Sequence, residues 1–161
     1  MSATASRVAF RRLELRDLNA IEAIERDSYR TPWSRSMFAG ELAKPSSLSL
    51  GAFDPETGQL LGYLIISRYV DAWHVMNVAV APMHRRRKIA TLLLEHLFAR
   101  TAGDGRRGYT LEVRVSNDVA IRLYESVGFK PRGIRRGYYT DNREDALIMW
   151  RDPEPPPLRD S

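Results

Sequence analysis

The chain has 161 residues, of which 43% are hydrophobic and 28% are charged, and its formal net charge is +5 at pH 7. These values are typical of one soluble globular domain that is large enough to bury its own core. The absence of cysteine excludes disulfides, thiolate-ligated metals and a cysteine nucleophile, while the positive charge favours an anionic partner without distinguishing among nucleic acid, a phosphorylated cofactor and an acidic peptide.

The two ends of the chain differ in composition from the segment between them. We expect residues 1–7 to be flexible, and also the tail "DPEPPPLRDS" (152–161), whose prolines cannot support a helix or a central strand. Residues 8–151 then form the folded domain. No segment approaches the roughly 18 consecutive apolar residues of a membrane span, and the N-terminus has no apolar run long enough for a secretory signal. We therefore expect a cytoplasmic protein with no membrane partner.

The first half of the chain predicts one strand, two helices and a hairpin. "RVAFRRLEL" is a strand, and "DLNAIEAIERDSY" is an amphipathic helix for which Asp17 is the expected N-cap. A second helix begins at Ser34, whose side chain can cap the amides that follow. "SLSLGAF" and "QLLGYLIISRYV" flank the turn sequence "DPETG", which predicts a β-hairpin.

The second half alternates between strands and helices. The predicted elements are the strand "AWHVMNVAV", a helix from about Arg86 to Ala102, the strand "YTLEVRV", the helix "NDVAIRLYESV" terminated at Gly128, and the strands in "FKPRGIRRGYY" and "EDALIMW". The order β-α-α-β-β-β-α-β-α-β-β predicts an α/β (α+β) fold, with one mixed, mostly antiparallel sheet of six or seven strands flanked by about four helices.

The segment "GDGRRG" (103–108) matches the glycine pattern of dinucleotide-binding loops. That pattern binds a pyrophosphate only where it follows a strand and precedes a helix. Here a helix precedes the glycines and a strand follows them, so we interpret the segment as a connecting loop. The three histidines have no metal-ligand spacing, and we expect no metal.

A run of four cations, Arg85 to Lys88, lies where a strand leads into the N-terminus of a helix. Cations at that end repel the partial positive charge of the helix dipole, whereas the unpaired backbone amides there attract an anion. The segment Arg85–Ala90 is therefore a candidate anion site. A basic loop screened by water is the alternative reading.

Two further residues have side chains suited to proton transfer. Glu112 alternates with Leu111 and Val113 in a strand, so it lies on the opposite face, where the alternative to a functional role is an ion pair with Arg114. Tyr124 lies on the apolar stripe of the following helix, where it could also be an aromatic at the edge of the core.

The segments "VAVAPMHRRRKIA", "LEVRVSN" and "AIRLYESVGF", in this order and spacing, resemble the GNAT superfamily of acetyl-CoA-dependent N-acetyltransferases. The further segments "TPWS", "LLLEHL" and "IRRGYYTDNREDALIM" resemble the RimI type, which acetylates the N-terminal alanine of a small-subunit ribosomal protein. The resemblance extends from about Val8 to Trp150. It implies a GNAT-like single domain, acetyl-CoA as cosubstrate, and transfer to the α-amine of a protein N-terminus.

The resemblance also implies roles for individual residues. Glu112 corresponds to the general base and Tyr124 to the general acid. Trp33, Tyr138 and Tyr139 correspond to loops that flank the peptide channel, for which ordinary loop packing is the alternative. The residues that correspond to the CoA-binding positions are Val78, Ala79, Val80, Arg85, Arg86, Arg87, Lys88, Ile89, Ala90, Thr91 and Asn117.

Asn117 has a structural alternative to CoA binding, and Lys88 differs from the family pattern. Asn117 could equally be a helix N-cap. Lys88 departs from the family pattern Q/R-x-x-G-x-G/A, because it stands where the first glycine is usual.

The reference pKa values of amines favour the same acceptor. An α-amine with a pKa near 7.7–8.0 is roughly one-tenth neutral at pH 7, whereas a lysine amine near 10.4 is almost entirely protonated. A modest base such as Glu112 therefore suits a protein N-terminus, and we expect partial burial to raise its pKa toward working pH. The alternatives are a GNAT enzyme that acetylates lysine or a small-molecule amine, and a basic module that docks on RNA or the ribosome, although the sequence has no RRM signature or aromatic single-strand platform.

Overall fold

The structure is a computed structural model, which describes residues 7–104 and 107–153 of the chain and leaves the side chains of Tyr69, Arg86 and Arg87 undescribed. The expected flexibility of the two termini concerns residues that lie mostly outside this part. The described chain forms two compact units. The first contains the residues up to Ser67 together with Asn77–Leu94, and the second contains Arg68–Met76 and the residues from Glu95 onward.

The element order confirms the predicted alternation. The strands are β1 (Ala9–Arg12), β2 (Ser47–Phe53), β3 (Leu60–Tyr69), β4 (Ala72–Val80), β5 (Tyr109–Arg114), β6 (Lys130–Arg135) and β7 (Ala146–Arg151). The α-helices are α1 (Leu18–Ser28), α2 (Arg35–Ala43), α3 (Ile89–Thr101) and α4 (Asp118–Ser126). Two 3-10 helices, Leu15–Asp17 and Pro82–Arg87, precede α1 and α3. The hydrogen-bonded strand order is β1-β2-β3-β4-β5-β7-β6.

The first unit is built on the antiparallel strands β1, β2 and β3. Strand β2 is buried along its whole length, as expected of a strand covered on both faces. Helix α1 places Leu18, Ile21 and Ile24 in the core, which is the apolar face predicted from the sequence. At α2, the Ser34 side chain accepts a hydrogen bond from the backbone N–H of Met37, so the predicted N-cap is confirmed.

The predicted cap of α1 is wrong in its contacts. Asp17 occupies the N-cap position, but its side chain makes no capping hydrogen bond to α1. Its carboxylate accepts from the backbone N–H of Glu14, 2.8 Å away, and from the guanidinium of Arg11 at 2.9 and 3.0 Å. The reason is the short 3-10 helix before α1, which takes Asp17 as its last residue and turns the carboxylate back toward the preceding chain.

In the second unit, β5 is the central element. It pairs in parallel with β4, where His74 is opposite Thr110, and antiparallel with β7, where Glu112 is opposite Ile148. Tyr109, Leu111 and Val113 point into the core, and the residues between them are partly exposed. Val115, the last residue of the predicted strand "YTLEVRV", lies beyond the end of β5 and is 40% exposed.

The glycine-containing segment 103–108 connects α3 to β5, as predicted, with residues 105–106 outside the described part. None of the helices in residues 7–104 and 107–153 combines the length and the apolar character that crossing a membrane requires.

Candidate active site

Glu112 lies on the partly exposed face of β5, and its side chain is 12% accessible. Its Oε1 atom is 2.8 Å from Nε2 of His74 on the neighbouring strand β4. Because an ionised carboxylate can only accept hydrogen bonds, Nε2 is the donor. The Tyr138 hydroxyl makes a longer contact of 3.4 Å to the same oxygen. The structure thus brings together the predicted base and one of the predicted channel residues.

The pKa of Glu112 lies below the ordinary glutamate value. The largest cause is the hydrogen bond from His74, which favours the charged carboxylate and outweighs the opposing effect of partial burial; the positive charge of Arg135 acts in the same direction as His74. The expectation of a raised pKa is therefore wrong. Glu112 is ionised at neutral pH, so it is always able to accept a proton or to orient a water molecule.

Arg114 does not pair with Glu112, which was the alternative reading of this strand. Its guanidinium binds Asp141 at 2.8 Å and Glu144 at 3.2 Å, and it stacks 4.0 Å from the ring centroid of Tyr139. Burial raises the pKa of Tyr139 to about 12. Arg114 therefore holds the loop that carries Tyr138 and Tyr139, and the hydrogen-bond partner of Glu112 on the neighbouring strand is His74.

Tyr124 lies on α4 and is half-buried, with its ring in an edge-to-face contact with Phe129 at a centroid distance of 5.7 Å. Burial raises the pKa of the Tyr124 hydroxyl, which therefore remains protonated at neutral pH and able to donate a proton. Asn117 caps the same helix, because its Oδ1 accepts from the backbone N–H of Ala120 at 3.1 Å. The N-cap interpretation of Asn117 is thus confirmed, and its contact with CoA stays a prediction.

In the first unit, the end of β4 carries Val78, Ala79 and Val80, three of the positions that the resemblance implies for CoA binding. The carbonyl of Val78 accepts a hydrogen bond from the Tyr29 hydroxyl. The carbonyl of Val80 accepts one from Nε of Arg85 at 3.1 Å. A Cβ at Gly62 on β3 would lie 2.9 Å from the carbonyl oxygen of Ala79, so the absence of a side chain at Gly62 allows this segment to approach closely.

The helix predicted to begin at Arg86 begins at Ile89. Pro82–Arg87 forms a 3-10 helix, and Lys88 then adopts a left-handed conformation with φ 58° and ψ 32°. A residue in that conformation cannot continue a right-handed helix, which explains the later start. The backbone N–H of Leu92 donates to the carbonyl of Lys88, four residues earlier. The N–H groups of residues 89–91 belong to the first turn of α3, where amides have no carbonyl partner within the helix.

The Arg85 guanidinium is engaged with the protein. Besides Val80, its Nη2 contacts the carbonyl of Asp27 at 3.3 Å and the hydroxyl of Ser28 at 3.2 Å. Both lie in the last turn of α1, where a cation also interacts favourably with the helix dipole. Lys88 is exposed, and the side chains of Arg86 and Arg87 lie outside the described part of the structure.

Sequence reasoning missed His74 and Glu25. The role of His74 depends on the parallel pairing of β4 with β5, two strands that helix α3 separates in the chain, and no local pattern reveals that pairing. Glu25 is 1% exposed and accepts hydrogen bonds from the Tyr63 hydroxyl, from Nδ2 of Asn77 at 2.9 Å and from the backbone N–H of Trp33 at 2.9 Å. Helical spacing could have found Glu25, because it lies seven residues after the buried Leu18 and hence on the same face.

Trp33 itself packs its ring on the buried Phe38, with the two centroids 5.1 Å apart. The ring thus takes part in the packing of its loop, and Glu25 holds its backbone, while a contact between Trp33 and a substrate stays a prediction.

Residues 18–129 match the family model described as "Acetyltransferase (GNAT) family". The chain belongs to the GNAT family of acetyltransferases. This confirms the resemblance seen in the sequence, and the mixed sheet with four α-helices is the fold that this family is expected to have.

Two similar proteins are named as alanine N-acetyltransferases of a ribosomal protein. A curated relative from Escherichia coli (strain K12), named [Ribosomal protein bS18]-alanine N-acetyltransferase, is 39% identical over 139 residues, which are 85% of this chain and 92% of the relative. The crystal structure of the ribosomal-protein-S18-alanine N-acetyltransferase from Escherichia coli superposes with a TM-score of 0.83 at 34% identity, covering 96% of this chain and 99% of that one. These two likenesses confirm the RimI-type resemblance.

A more distant neighbour shares the fold. Arabidopsis thaliana NAA60, in complex with acetyl-CoA, has a TM-score of 0.81 at 22% identity, covering 91% of this chain and 99% of that one.

Replacing Lys88 tests the backbone strain at the start of α3. A residue with a Cβ pays about 1–2 kcal/mol in the left-handed conformation. Glycine avoids this cost, but part of the gain is offset because the unfolded chain is more flexible with glycine at this position. We expect Lys88→Gly to raise the free energy of unfolding by about 0.5–1 kcal/mol relative to Lys88→Ala, measured by urea denaturation. Lys88→Ala is the matched control, because it removes the ammonium and keeps the Cβ. Equal stability of the two variants would show that the position is unstrained.

Proposed function

We propose that the protein transfers the acetyl group of acetyl-CoA to the α-amine of a protein N-terminus, and that its substrate is the N-terminal alanine of a small-subunit ribosomal protein. The observation that carries the proposal is the ionised Glu112 carboxylate, held by His74 and in contact with the hydroxyl of Tyr138, in a chain of the acetyltransferase family. The name of the Escherichia coli relative supports the choice of acceptor.

Acetyl-CoA is the cosubstrate in this proposal, and the first unit supplies groups for its diphosphate. The N–H groups of Ile89, Ala90 and Thr91 open a helix of 13 residues, and such an end attracts phosphate through its amides and its dipole. Lys88, together with Arg86 and Arg87, adds positive charge, whereas Arg85 fixes the preceding turn through Val80 and α1.

We assign the backbone of Val78, Ala79 and Val80 to the binding of the pantetheine arm of CoA. The extended arm would pair with this backbone as a strand pairs with the edge of a sheet. Asn117 is retained as a CoA contact on the resemblance alone. The complex of Arabidopsis thaliana NAA60 with acetyl-CoA supports the cosubstrate, since that protein shares the fold.

The chemistry follows from the charge states of two side chains. The neutral amine attacks the thioester carbonyl, the C–N bond forms, and the C–S bond breaks as the tetrahedral intermediate collapses. Glu112, ionised at neutral pH, takes the proton that the amine loses, through a water molecule. Tyr124, kept protonated by burial, gives its proton to the departing CoA sulfur. Because the chain has no cysteine that could form an acyl-enzyme, the proposed transfer runs directly from acetyl-CoA to the amine.

The lowered pKa of Glu112 also bears on the acceptor. A weakly basic carboxylate does little to deprotonate a lysine amine of pKa near 10.4, whereas an α-amine near 7.7–8.0 is already partly neutral. On the resemblance, we assign a substrate-binding role to Trp33 in the first unit and to Tyr138 and Tyr139 in the second. Tyr138, whose hydroxyl touches Glu112 and whose side chain is 42% exposed, is the member best placed to meet a substrate.

Thiol release from acetyl-CoA with three groups of acceptors tests this function. The groups are peptides with a free N-terminal alanine, the same peptides blocked at the N-terminus but carrying lysine, and small-molecule amines. We expect turnover with the free alanine peptides only. Turnover only with lysine or small amines would overturn the acceptor, and salt-dependent RNA binding without CoA binding would favour a docking module instead.

Removing either proton-transfer group should slow turnover without weakening CoA binding. We expect Glu112→Gln to lower kcat by about 100-fold, within the usual range for general acid–base catalysis, and Tyr124→Phe to act in the same direction. Calorimetry with CoA is the control for each variant. A large loss of CoA affinity in Glu112→Gln would make the residue structural, and normal turnover in Tyr124→Phe would remove Tyr124 from the mechanism.

A further inference from the structure

Glu25 is a buried carboxylate that the proposed chemistry does not use. It lies in the last turns of α1 and is 1% exposed. Burying an ionisable group is unfavourable unless hydrogen bonds satisfy it, and three donors surround this one: the Tyr63 hydroxyl, the Asn77 side-chain amide and the Trp33 backbone N–H. A buried carboxylate that accepts three hydrogen bonds is held in a defined position.

The two carboxylate oxygens of Glu25 bind three segments of the chain, two through one oxygen and one through the other. Oε1 accepts from Tyr63 on β3 and from Asn77 on β4. Oε2 accepts from the backbone of Trp33, in the loop between α1 and α2. Asn77 directly precedes Val78, the first residue assigned to the pantetheine arm, and Trp33 is assigned a substrate-binding role.

The same end of α1 makes two further contacts of this kind. The hydroxyl of Tyr29, which follows α1, donates to the carbonyl of Val78. The carbonyl of Asp27 and the hydroxyl of Ser28 accept from Arg85, in the turn before the open end of α3. The end of α1, together with Tyr29, therefore contacts the loop at Trp33, the carbonyl of Val78 and the turn that precedes α3.

We propose that Glu25 is a positioning residue, which uses one oxygen to hold the acetyl-CoA-binding end of β4 and the other to hold the acceptor loop at Trp33. The proposal rests on the proposed function for the identity of the two substrates. A carboxylate suits this role because it presents only acceptors, and every neighbouring contact is a donor.

Glutamine at position 25 tests the role with little change of shape. The amide has one acceptor oxygen and one donating nitrogen. Whichever way it turns, either the Tyr63 and Asn77 donors or the Trp33 backbone N–H therefore loses its acceptor and faces the amide nitrogen. Tyr63→Phe is narrower, since it removes one contact to Oε1 and leaves the contact between Oε2 and Trp33 in place.

Glu41 offers a matched control. It is also a buried carboxylate, 4% exposed, on the neighbouring helix α2, and it pairs with Lys44 at 2.8 Å. Glu41→Gln makes the same chemical change in the same unit, and Glu41 has no contact with Trp33 or β4 among the hydrogen bonds of the described residues.

The experiment measures KM for acetyl-CoA, KM for an alanine-starting peptide and kcat in all four proteins, with CoA affinity by calorimetry and thermal unfolding alongside. Losing one hydrogen bond to a charged group changes affinity by about tenfold. We expect Glu25→Gln to raise at least one KM by about that factor, with a smaller change in kcat. Tyr63→Phe should raise KM for acetyl-CoA and leave KM for the peptide unchanged, and Glu41→Gln should leave both unchanged.

The outcomes separate this inference from the proposed function. If Glu25→Gln lowers only the unfolding temperature and the amount of active enzyme, with both KM values and the CoA affinity as in the wild type, the residue is merely structural and the inference is overturned. If Glu25→Gln does not fold, Tyr63→Phe decides by the same criteria. Failure of the wild type to acetylate α-amines would overturn the proposed function, and CoA calorimetry on the variants would still decide whether Glu25 holds the β4 segment.

Discussion

The hydrogen bond from His74 to Glu112 is the interaction on which the proposed chemistry depends. A carboxylate that is partly buried in a sheet would by itself become easier to protonate. The imidazole of the neighbouring strand reverses this effect and keeps the carboxylate charged. Arg114 cannot neutralise it, because Asp141 and Glu144 already hold that guanidinium. The result is an ionised carboxylate on β5, so the proposed chemistry requires a substrate amine that is already partly neutral at working pH.

The same physical constraint organises the first unit around another carboxylate. Glu25 is almost fully buried, and two of its three donors belong to the loop at Trp33 and to β4, where Asn77 directly precedes the assigned Val78. The requirement that buried polar groups be hydrogen-bonded therefore ties the fold of this unit to its proposed binding role. Glu112 and Glu25 thus each accept hydrogen bonds from neighbouring strands or loops, and each has one proposed substrate-binding residue among its partners, Tyr138 for Glu112 and Trp33 for Glu25.

Local patterns predicted most of the elements, whereas contacts between distant segments could not be predicted. The apolar face of α1, the Ser34 cap and the hairpin of β2 and β3 follow from periodicity and capping within a few residues. The later start of α3 depends on one left-handed residue, Lys88. The glycine that is usual at this position in the family already indicated a left-handed conformation, because glycine adopts it most readily. The direction of the Glu112 pKa depends on a histidine 38 residues earlier in the chain, and a single sequence gives no means of pairing the two.

Direct observation of the charge on Glu112 tests the central claim most simply. In protein labelled with 13C at the glutamate side-chain carboxyl carbon, the Glu112 signal can be assigned by its absence from Glu112→Gln and followed by NMR from pH 8 to pH 5.5. The account predicts that the signal keeps the chemical shift of an ionised carboxylate throughout, since its pKa lies below the ordinary value of 4.5. A titration with a midpoint near pH 7 would contradict the account and would restore Glu112 to the role of a base with a raised pKa.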